Sequence, residues 1–317
     1  MSDYLKNKRV VDPVMTSIAR GYRNAAFIGE HIFPVVYTDR EAVTVPVFGR
    51  SAFVEVDTVR AVGADSNVLI REKSSTLDLV LHEHDLAAPV DYREQTESMF
   101  NEEAKAIRRV TNGIHLRREL IAARLAQDKK VYPASSVKTM TSVERWEGGH
   151  GDPVEVIEGG IEAVRSKIGV RPNLMVMGAS VMPLLRYHPA ITTALGLNER
   201  KRITTQILRE LFGLDKVIVG EPVSMASMTD AGNRNKYPVD IWGDNLMLFY
   251  VTPPREGAES ADENEPSFGY TLRRKGMPVA DKYDGVGGKV KYCRYTDIYK
   301  VAVVGGDAGY LVTNIVK

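Results

Sequence analysis

The sequence predicts an α+β protein with two lobes and long extensions. Three observations support this fold class: a length of 317 residues, a period-two stretch followed by one long amphipathic helix, and alternating helices and strands in the second half. A chain of this length exceeds a single ordinary core of roughly 100–200 residues. We therefore expect two lobes, or one lobe with long excursions.

The composition excludes several classes of protein. Apolar residues make up 44% of the chain and charged residues 26%, which is typical of a soluble globular protein. The formal net charge of +1 argues against a surface built entirely to grip nucleic acid. The single cysteine, Cys293, excludes an internal disulfide framework and a cysteine-cluster zinc site. No signal-like segment and no run of about 18 apolar residues occur, so we expect a cytosolic chain without membrane contact.

Residues 1–40 are predicted to form an extended N-terminal arm. One helical stretch is placed at about Asp12–Glu30, because Asp12-Pro13 suits the N-cap and first position of a helix. The apolar segment after it is bounded by proline, as in a strand at a sheet edge. Nothing else in the arm can cover this segment, so it must lie on another surface. Its expected contact residues are Ile32, Phe33 and Val35.

Residues 41–90 are predicted to form a long antiparallel hairpin, because apolar residues alternate along both of its legs. Between the legs, the hairpin tip at Glu55–Ser75 is mixed and charged, as expected for a surface that faces solvent or a partner. An isolated two-stranded ribbon is marginally stable in water, so the hairpin must also lie on another surface.

A long helix is predicted from Asp91 to Asp128. Asp91 and Glu94 have capping-box spacing, and bases gather towards the end of the segment, as the helix dipole favours. At about 1.5 Å per residue the helix would be a rod of about 50 Å. A dimeric coiled coil is the alternative, but only four heptads are present and Gly113 interrupts them. The apolar residues repeating every seven positions are Phe100, Ile107, Ile114 and Ile121.

The second part of this helix is strongly basic. From Ala104 to Lys130, eight Lys and Arg residues stand against two acids, Glu119 and Asp128, for a local net charge of +6. This is either an ordinary solvated helix face or one that attracts a polyanion without reading its sequence. The candidate residues of the basic face are Lys105, Arg108, Arg109, Arg117, Arg118 and Arg124.

After residue 152 the pattern becomes αβαβ, which predicts a second lobe with its own core. A hairpin turning at Gly243-Asp244 is expected within residues 239–251, and the acidic segment Arg255–Pro266 is expected to be a surface loop. The other predicted elements are helices Pro153–Ile168, Ala179–Tyr187 and Thr204–Phe212, and strands Leu174–Met177, Lys216–Gly220, Phe268–Arg273, Val290–Val304 and Tyr310–Val316.

Motifs that could carry chemistry are weak. His82 and His84 would share one face of a strand and could ligate a metal, but the sequence places no third ligand. The glycine-rich segment Asp284–Val290 lacks the spacing of a P-loop, and Val304–Gly309 lacks the helix of a dinucleotide loop. His188, which precedes a proline, is interpreted as a helix terminator.

The order of elements resembles the major capsid protein of tailed bacteriophages, which has the Hong Kong 97-type fold. That order is an arm, a long hairpin, a spine helix, an α/β lobe and a long returning strand, and it covers nearly the whole chain. The most specific similarity is Pro172-Asn173 with an apolar run to Gly178, followed by Leu184 and His188-Pro189. A similar stretch occurs in the axial domain of many such proteins.

The resemblance implies a shell protein, not an enzyme, with no cofactor. Pentamers and hexamers would tile an icosahedral head, assembled in the host cytoplasm, and the basic face, if turned inwards, would meet packaged double-stranded DNA. The implied regions are arm 1–40, E-loop 41–90, peripheral domain with spine helix 91–152, axial domain 153–285, and return strands of the peripheral domain 286–317. The E-loop residues expected at a neighbouring subunit are Arg60, Asp65, Arg71, Glu72 and Lys73.

The implied partners are further copies of the chain, a portal protein and, in some relatives, a decoration protein. The chain lacks the long N-terminal extension that acts as a fused scaffold in some relatives, so we expect a separate scaffolding protein. Some relatives form a Lys–Asn crosslink with the help of a carboxylate, for which Lys73 would be the candidate donor.

Two alternatives stay open. An encapsulin-type shell has the same fold, although its family usually begins with a helix and has a shorter E-loop. An oligomeric α/β enzyme would require a cleft within residues 153–285 with converging acids or with His188.

Overall fold

The computed structural model describes residues 24–47, 55, 58–60, 62–63, 65–67, 76–196, 202–225, 237–252 and 267–316. Two five-stranded sheets form the two lobes. One long helix packs against both sheets, because its buried residues share an apolar cluster with strands of each. In the described part of the chain, none of the helices combines the length and apolar character needed to cross a membrane.

The α-helices are α1 Gly29–Ile32, α2 Tyr92–Glu97, α3 Glu102–Gln127, α4 Pro153–Ile168, α5 Val181–Leu185, α6 Pro189–Ala194 and α7 Thr205–Phe212. The strands are β1 Val35–Thr38, β2 Ala42–Pro46, β3 Thr76–Val80, β4 His82–Asp91, β5 Val137–Thr139, β6 Leu174–Gly178, β7 Lys216–Gly220, β8 Val223–Ser224, β9 Val239–Asp240, β10 Leu246–Phe249, β11 Gly269–Arg274, β12 Val279–Asp284, β13 Val290–Val303 and β14 Gly309–Thr313.

The first sheet is built around the 14-residue strand β13. Strands β11 and β12 pair with it antiparallel along one edge, and β4 pairs with it antiparallel along the other. Strand β1 lies parallel to β11 at the edge of the sheet. The predicted edge strand is thus confirmed only from Val35 onwards, because Ile32 is the last residue of α1 and Phe33 caps it.

The second sheet has the order β5-β14-β10-β6-β7. Every residue of β6, β10 and β14 is buried. Continuous apolar sequences such as Leu246–Phe249 suit central strands that are covered on both faces. The predicted hairpin within 239–251 is wrong for this reason: β10 pairs with β6 and β14, whereas β9 pairs with β8.

Strand pairing groups the chain differently from the predicted ranges. Strands β11 and β12 belong to the first sheet, although residues 153–285 were expected to form the other lobe. Strand β14 belongs to the second sheet, although residues 286–317 were expected to return to the first. The predicted loop Arg255–Pro266 lies outside the described residues.

The predicted rod from Asp91 to Asp128 is wrong in one respect, because the helix is broken between Ser98 and Asn101. Asp91 caps α2 by accepting a hydrogen bond from the Arg93 amide at 2.8 Å. The Asn101 side chain accepts from the Ala104 amide at 3.0 Å and so begins a new helix. The 26 residues of α3, which we call the spine helix, extend about 39 Å.

The predicted apolar stripe, with a residue at every seventh position of the helix, is also wrong, apart from Ile114. Phe100 is exposed, and Ile107 and Ile121 are only partly buried. The buried residues repeat at about every four positions, and most of them are small, which lets the helix approach both sheets closely. They are Ala106, Val110, Ile114, Glu119, Ala122, Ala123 and Ala126.

The predicted hairpin of residues 41–90 is shorter than expected. Strands β2 and β3 form its legs, but β4 leaves it and pairs with ten consecutive residues of β13. The base of the hairpin packs on the first sheet of the same protomer, because Val45, Leu79 and Leu81 share a buried cluster with Tyr270 and Ile298.

Local signals in the second lobe are confirmed. Helix α4 and strand β7 have the predicted bounds, and the Asp152 carboxylate caps α4 by accepting from the Val154 amide at 2.9 Å. Helix α4 ends at Gly169, whose φ of 75° is left-handed. The predicted helix Ala179–Tyr187 is shorter, and His188 caps a further helix, α6.

Candidate assembly and nucleic-acid surfaces

Five of the six basic candidates on the spine helix are exposed. Lys105 has an exposed side chain whose Nζ lies 3.4 Å from a Glu102 carboxylate oxygen. Lys105 and the two arginines at 108 and 109 lie on its first half, and the arginines at 117 and 124 lie seven residues apart on its second half. Residues spaced by three, four or seven positions project from similar sides of a helix. Each group therefore lies on one side of the helix, but the two groups lie on different sides, because Arg108 and Arg117 are nine positions apart and project in opposite directions at 3.6 residues per turn. We use the name basic face for the five exposed bases together: Lys105, Arg108, Arg109, Arg117 and Arg124.

Arg118 is not part of the basic face. Its side chain is only 11% exposed, and a guanidinium nitrogen lies 2.5 Å from a carboxylate oxygen of Glu30 in the arm. The sequence could not distinguish Arg118 from Arg117, because the difference depends on which side of the helix the arm crosses.

A layer of buried polar residues lies beside the apolar contacts between the spine helix and the first sheet. Arg273 donates to Asp297 at 2.9 Å, and both side chains are almost fully buried. Burial raises the pKa of Asp297, against the opposing effect of Arg273. Burial also raises the pKa of Tyr299 to about 12 and lowers the pKa of His115. Arg273 and Asp297 thus pair with each other in a buried setting, while Arg273 Nε, Asp297 Oδ1 and Tyr299 OH have no hydrogen-bond partner among the described residues.

The arm residues predicted to make contacts lie within their own protomer. Ile32 and Phe33 are fully buried, and the ring of Phe33 lies 5.7 Å from that of Phe268. Val35 is partly buried in β1. The described part of the predicted helix Asp12–Glu30 is not helical before Gly29, and the rest of that stretch lies outside the described residues. The apolar segment of the arm is thus covered by the chain itself.

The role of Glu119 does not follow from the sequence alone. This residue is one of only two acids in the basic stretch, yet it is 2% exposed and joins the arm, the spine helix and the second lobe through hydrogen bonds. An acid that interrupts a run of bases was the one available signal, but the sequence does not show which donors surround it.

The described residues of the hairpin tip are all exposed. Arg60 and Asp65 are exposed, and so are two apolar residues, Val59 at 81% and Val62 fully. The Asn67 side chain donates to the Val59 carbonyl oxygen at 3.2 Å, which closes this part of the tip. The other predicted E-loop residues, Arg71, Glu72 and Lys73, lie outside the described residues.

The metal candidate gains no further ligand from the fold. His82 is exposed, whereas the ring of His84 stacks on Tyr299 with 4.2 Å between centroids. Burial lowers the pKa of His84, and Arg117 adds to this effect. Among the described residues, His, Cys, Asp and Glu form no group of three that could hold a metal ion.

The enzyme alternative predicts a cleft with converging acids or with His188. A cavity of about 550 Å³ lies on the second lobe, and its charged lining residues among those described are Arg186, Arg202 and Glu221. His188 lies elsewhere: its Nδ1 accepts from the Ala190 amide at 3.3 Å, as a helix cap does. His188 therefore begins helix α6, whereas the helix before it already ends at Leu185, so the predicted role of His188 as the terminator of that helix is wrong.

The two glycine-rich segments are turns. In the first, the Gly285 amide donates to the Val290 carbonyl at 2.7 Å, which closes the connection between β12 and β13. In the second, Gly306–Ala308 forms a single 3₁₀ turn before β14. Neither segment precedes an α-helix that could bind a phosphate.

Comparison with known proteins identifies close relatives. The sequence is 41% identical to the major capsid protein of Burkholderia phage BcepMu over 311 residues, which cover 98% of each chain. It is 26% identical to the major capsid protein of Pseudomonas phage JBD67 over 326 residues, which cover 96% of this chain and 97% of the relative. No family model matches the sequence.

Solved structures agree with these relatives. A phage-related protein from Bordetella bronchiseptica superposes with a TM-score of 0.70 at 26% identity, covering 97% of this chain and 98% of that one. The capsid protein of cyanophage P-SCSP1u has a TM-score of 0.58 at 9% identity, covering 92% and 89%. An encapsulin from Synechococcus elongatus has a TM-score of 0.51 at 11% identity, covering 97% and 98%.

The two comparisons carry different weight. At 9–11% identity, the cyanophage capsid and the encapsulin show a shared fold alone. The relative from phage BcepMu is far more similar in sequence and aligns with almost the full length of both chains. The chain therefore belongs to the phage major capsid proteins and has the Hong Kong 97-like fold.

Proposed function

We propose that this chain assembles as pentamers and hexamers into the icosahedral head of a tailed phage and encloses its double-stranded DNA. The observation that carries the proposal is the 41% identity with a phage major capsid protein across 98% of both chains. The encapsulin alternative has support from the fold alone. The subunit would act as a structural protein of the virion without a cofactor, after assembly in the host cytoplasm.

The hairpin is proposed to be the E-loop that contacts a neighbouring subunit. Its base is anchored on the protomer's own sheet, while Val59 and Val62 are exposed. Covering these side chains on a neighbour would remove apolar surface from water, at about 25 cal/mol per Å². Arg60 and Asp65 are exposed on the same tip and could pair with charges there.

The basic face is proposed to meet the packaged DNA. Its five cations would interact with phosphates without reading bases, so binding should be weak for each subunit and strongly dependent on salt. We expect Arg108→Glu with Arg109→Glu to weaken DNA retention in shells and to reduce the salt dependence of binding. Arg171→Glu, an exposed arginine of the second lobe, is the matched control. Equal effects of the two changes would contradict this role for the basic face.

The remaining partners are proposed from the family alone. A separate scaffolding protein, a portal protein and a decoration protein would complete the head, and correct capsids formed from this chain by itself would contradict the need for a scaffold. Crosslinking through Lys73 would show as high-mass bands in denaturing electrophoresis of particles.

Negative-stain electron microscopy with sedimentation of the purified chain tests the proposal. Closed shells, or rings of five and six subunits, are the expected result. A small dimer or tetramer at every concentration, with or without a scaffold, would contradict it and would favour the enzyme alternative.

A further inference from the structure

The spine helix contains one deeply buried carboxylate, that of Glu119, which is 2% exposed. Among the described residues, no Lys, Arg or His forms an ion pair with it. A buried carboxylate without a cation is costly unless hydrogen-bond donors surround it. The donors around Glu119 are therefore a structural necessity.

Three donors from two distant parts of the chain meet at this carboxylate. The Ile28 amide donates to Oε1 at 2.9 Å, and the Gly29 amide donates to Oε2 at 2.8 Å. The indole Nε1 of Trp242, from the second lobe, donates to Oε1 at 2.9 Å. One oxygen is thus shared between the arm and the second lobe.

Two glycines allow the arm and the Trp242 ring to come close to Glu119. A Cβ at Gly29 would lie 2.8 Å from the Glu119 Oε2 atom. A Cβ at Gly220, the last residue of β7, would lie 2.4 Å from the Trp242 ring. Real Cβ atoms do not approach other atoms so closely, so the arm and Trp242 reach Glu119 only because these positions lack a side chain.

A second residue of the spine helix holds the same turn of the second lobe. The Gln127 side chain donates to the Ile241 carbonyl at 3.0 Å and accepts from the Asn245 side chain at 2.6 Å. Gln127 lies eight residues after Glu119, about 12 Å along the helix. The turn around Trp242 is thus fixed to the helix at two points, and only the Glu119 point also holds the arm.

We propose that Glu119 couples the seating of the arm to the position of the second lobe on the spine helix. If the arm leaves, the buried carboxylate loses two of its three donors, and the arrangement that holds Trp242 becomes unfavourable. The coupling is reciprocal: loss of the Trp242 donor must loosen the arm by the same free energy. Glu119 thereby makes three elements behave as one unit.

Hydrogen exchange of the unassembled full-length chain tests this coupling at the amides of Ile28 and Gly29. We expect Glu119→Gln to accelerate their exchange by about tenfold or more, since glutamine offers one acceptor and would face an amide with its own N–H groups. We expect Trp242→Phe, which keeps an aromatic ring and removes the indole donor, to accelerate it by about threefold. The exchange of the β6 amides, measured in the same samples, serves as the reference for unfolding of the whole protein.

Trp146→Phe is the matched control. Trp146 is as buried as Trp242, but its Nε1 has no hydrogen-bond partner among the described residues, and it packs in a different apolar cluster. This variant should leave the arm amides at their wild-type rate relative to β6. Equal arm exchange in the two tryptophan variants would overturn the proposal, and so would wild-type exchange in Glu119→Gln. If Glu119→Gln fails to fold, the tryptophan pair still decides.

Discussion

The arm and the hairpin tip are both extensions in the sequence, but the arm packs on the protomer's own core, whereas the described residues of the tip are exposed. Residues 28–38 of the arm pack against the first sheet and the spine helix, with Ile32 and Phe33 fully buried. In the described part of the hairpin tip, the apolar residues Val59 and Val62 are exposed. The sequence predicts that both need another surface, and the structure shows that the protomer itself supplies one of them.

The difference lies in what offsets the ordering cost. Fixing a residue's backbone costs about 1–2 kcal/mol in conformational entropy. For the arm, burial of apolar side chains and the pairing of β1 with β11 offset this cost within one chain. For the hairpin tip, we expect a neighbouring subunit to do so. An extension in sequence is therefore not by itself evidence of contact between subunits.

Deleting Ser51–Thr76 should have the largest effect. We expect complete loss of shells, because the proposed contact with the neighbour disappears, together with a soluble and folded monomer. Sedimentation and circular dichroism of the variant measure both properties. Intact shells from the deletion would show that the hairpin does not clamp neighbours.

The next largest effect is expected when one apolar residue in each extension is replaced by alanine, and it should distinguish the arm from the hairpin tip. Phe33→Ala should lower the free energy of unfolding of the monomer by about 3–5 kcal/mol, because it empties a fully buried site. Val62→Ala should change monomer stability by less than about 0.5 kcal/mol and weaken assembly instead. Urea unfolding of the two monomers provides the comparison, and similar losses in both would contradict it.

A pair of glycines offers a finer test of the arm. Gly29→Ala places a Cβ 2.8 Å from the Glu119 carboxylate and 2.9 Å from the Ala122 Cβ, so it should destabilise the monomer by about 1–3 kcal/mol. Gly159→Ala meets no atom within 4 Å on helix α4 and should stabilise the monomer by up to about 1 kcal/mol. Thermal unfolding should show shifts of opposite sign, and shifts of the same sign would contradict the close packing of the arm.

The smallest expected effect is a pH dependence that involves the arm and the spine helix. Burial lowers the pKa of His31, His84 and His115. Below about pH 6.5 the unfolded chain takes up protons that the folded chain resists, so stability should fall as the pH is lowered.

The variant His115→Gln checks this effect. Arg118 and Arg273 disfavour the charged form of His115, while Glu30 and Asp297 favour it. The loss of melting temperature between about pH 7.5 and 5.5 should be smaller in this variant than in the wild type. His150→Gln, at an exposed histidine, is the control. An unchanged loss in His115→Gln would contradict the role of burial.

Local signals predicted much of the fold, whereas long-range contacts did not follow from them. Asp152-Pro153 and Gly169 mark the ends of α4 because capping acts over a few residues. The partners of β10 depend on which strand edges meet after folding, so the sequence wrongly predicts a hairpin within residues 239–251. Likewise, Arg118 and Glu119 differ from the exposed Arg117 only in what crosses the helix beside them.

The most direct test of the contrast is hydrogen exchange of the same chain as free subunits and as assembled shells. We predict that the amides of residues 28–38 are protected in both states, whereas those of residues 58–60 and 65–67 exchange quickly in free subunits and slowly in shells. Arm amides that gain protection only on assembly, or tip amides that are already protected in the free subunit, would contradict the account.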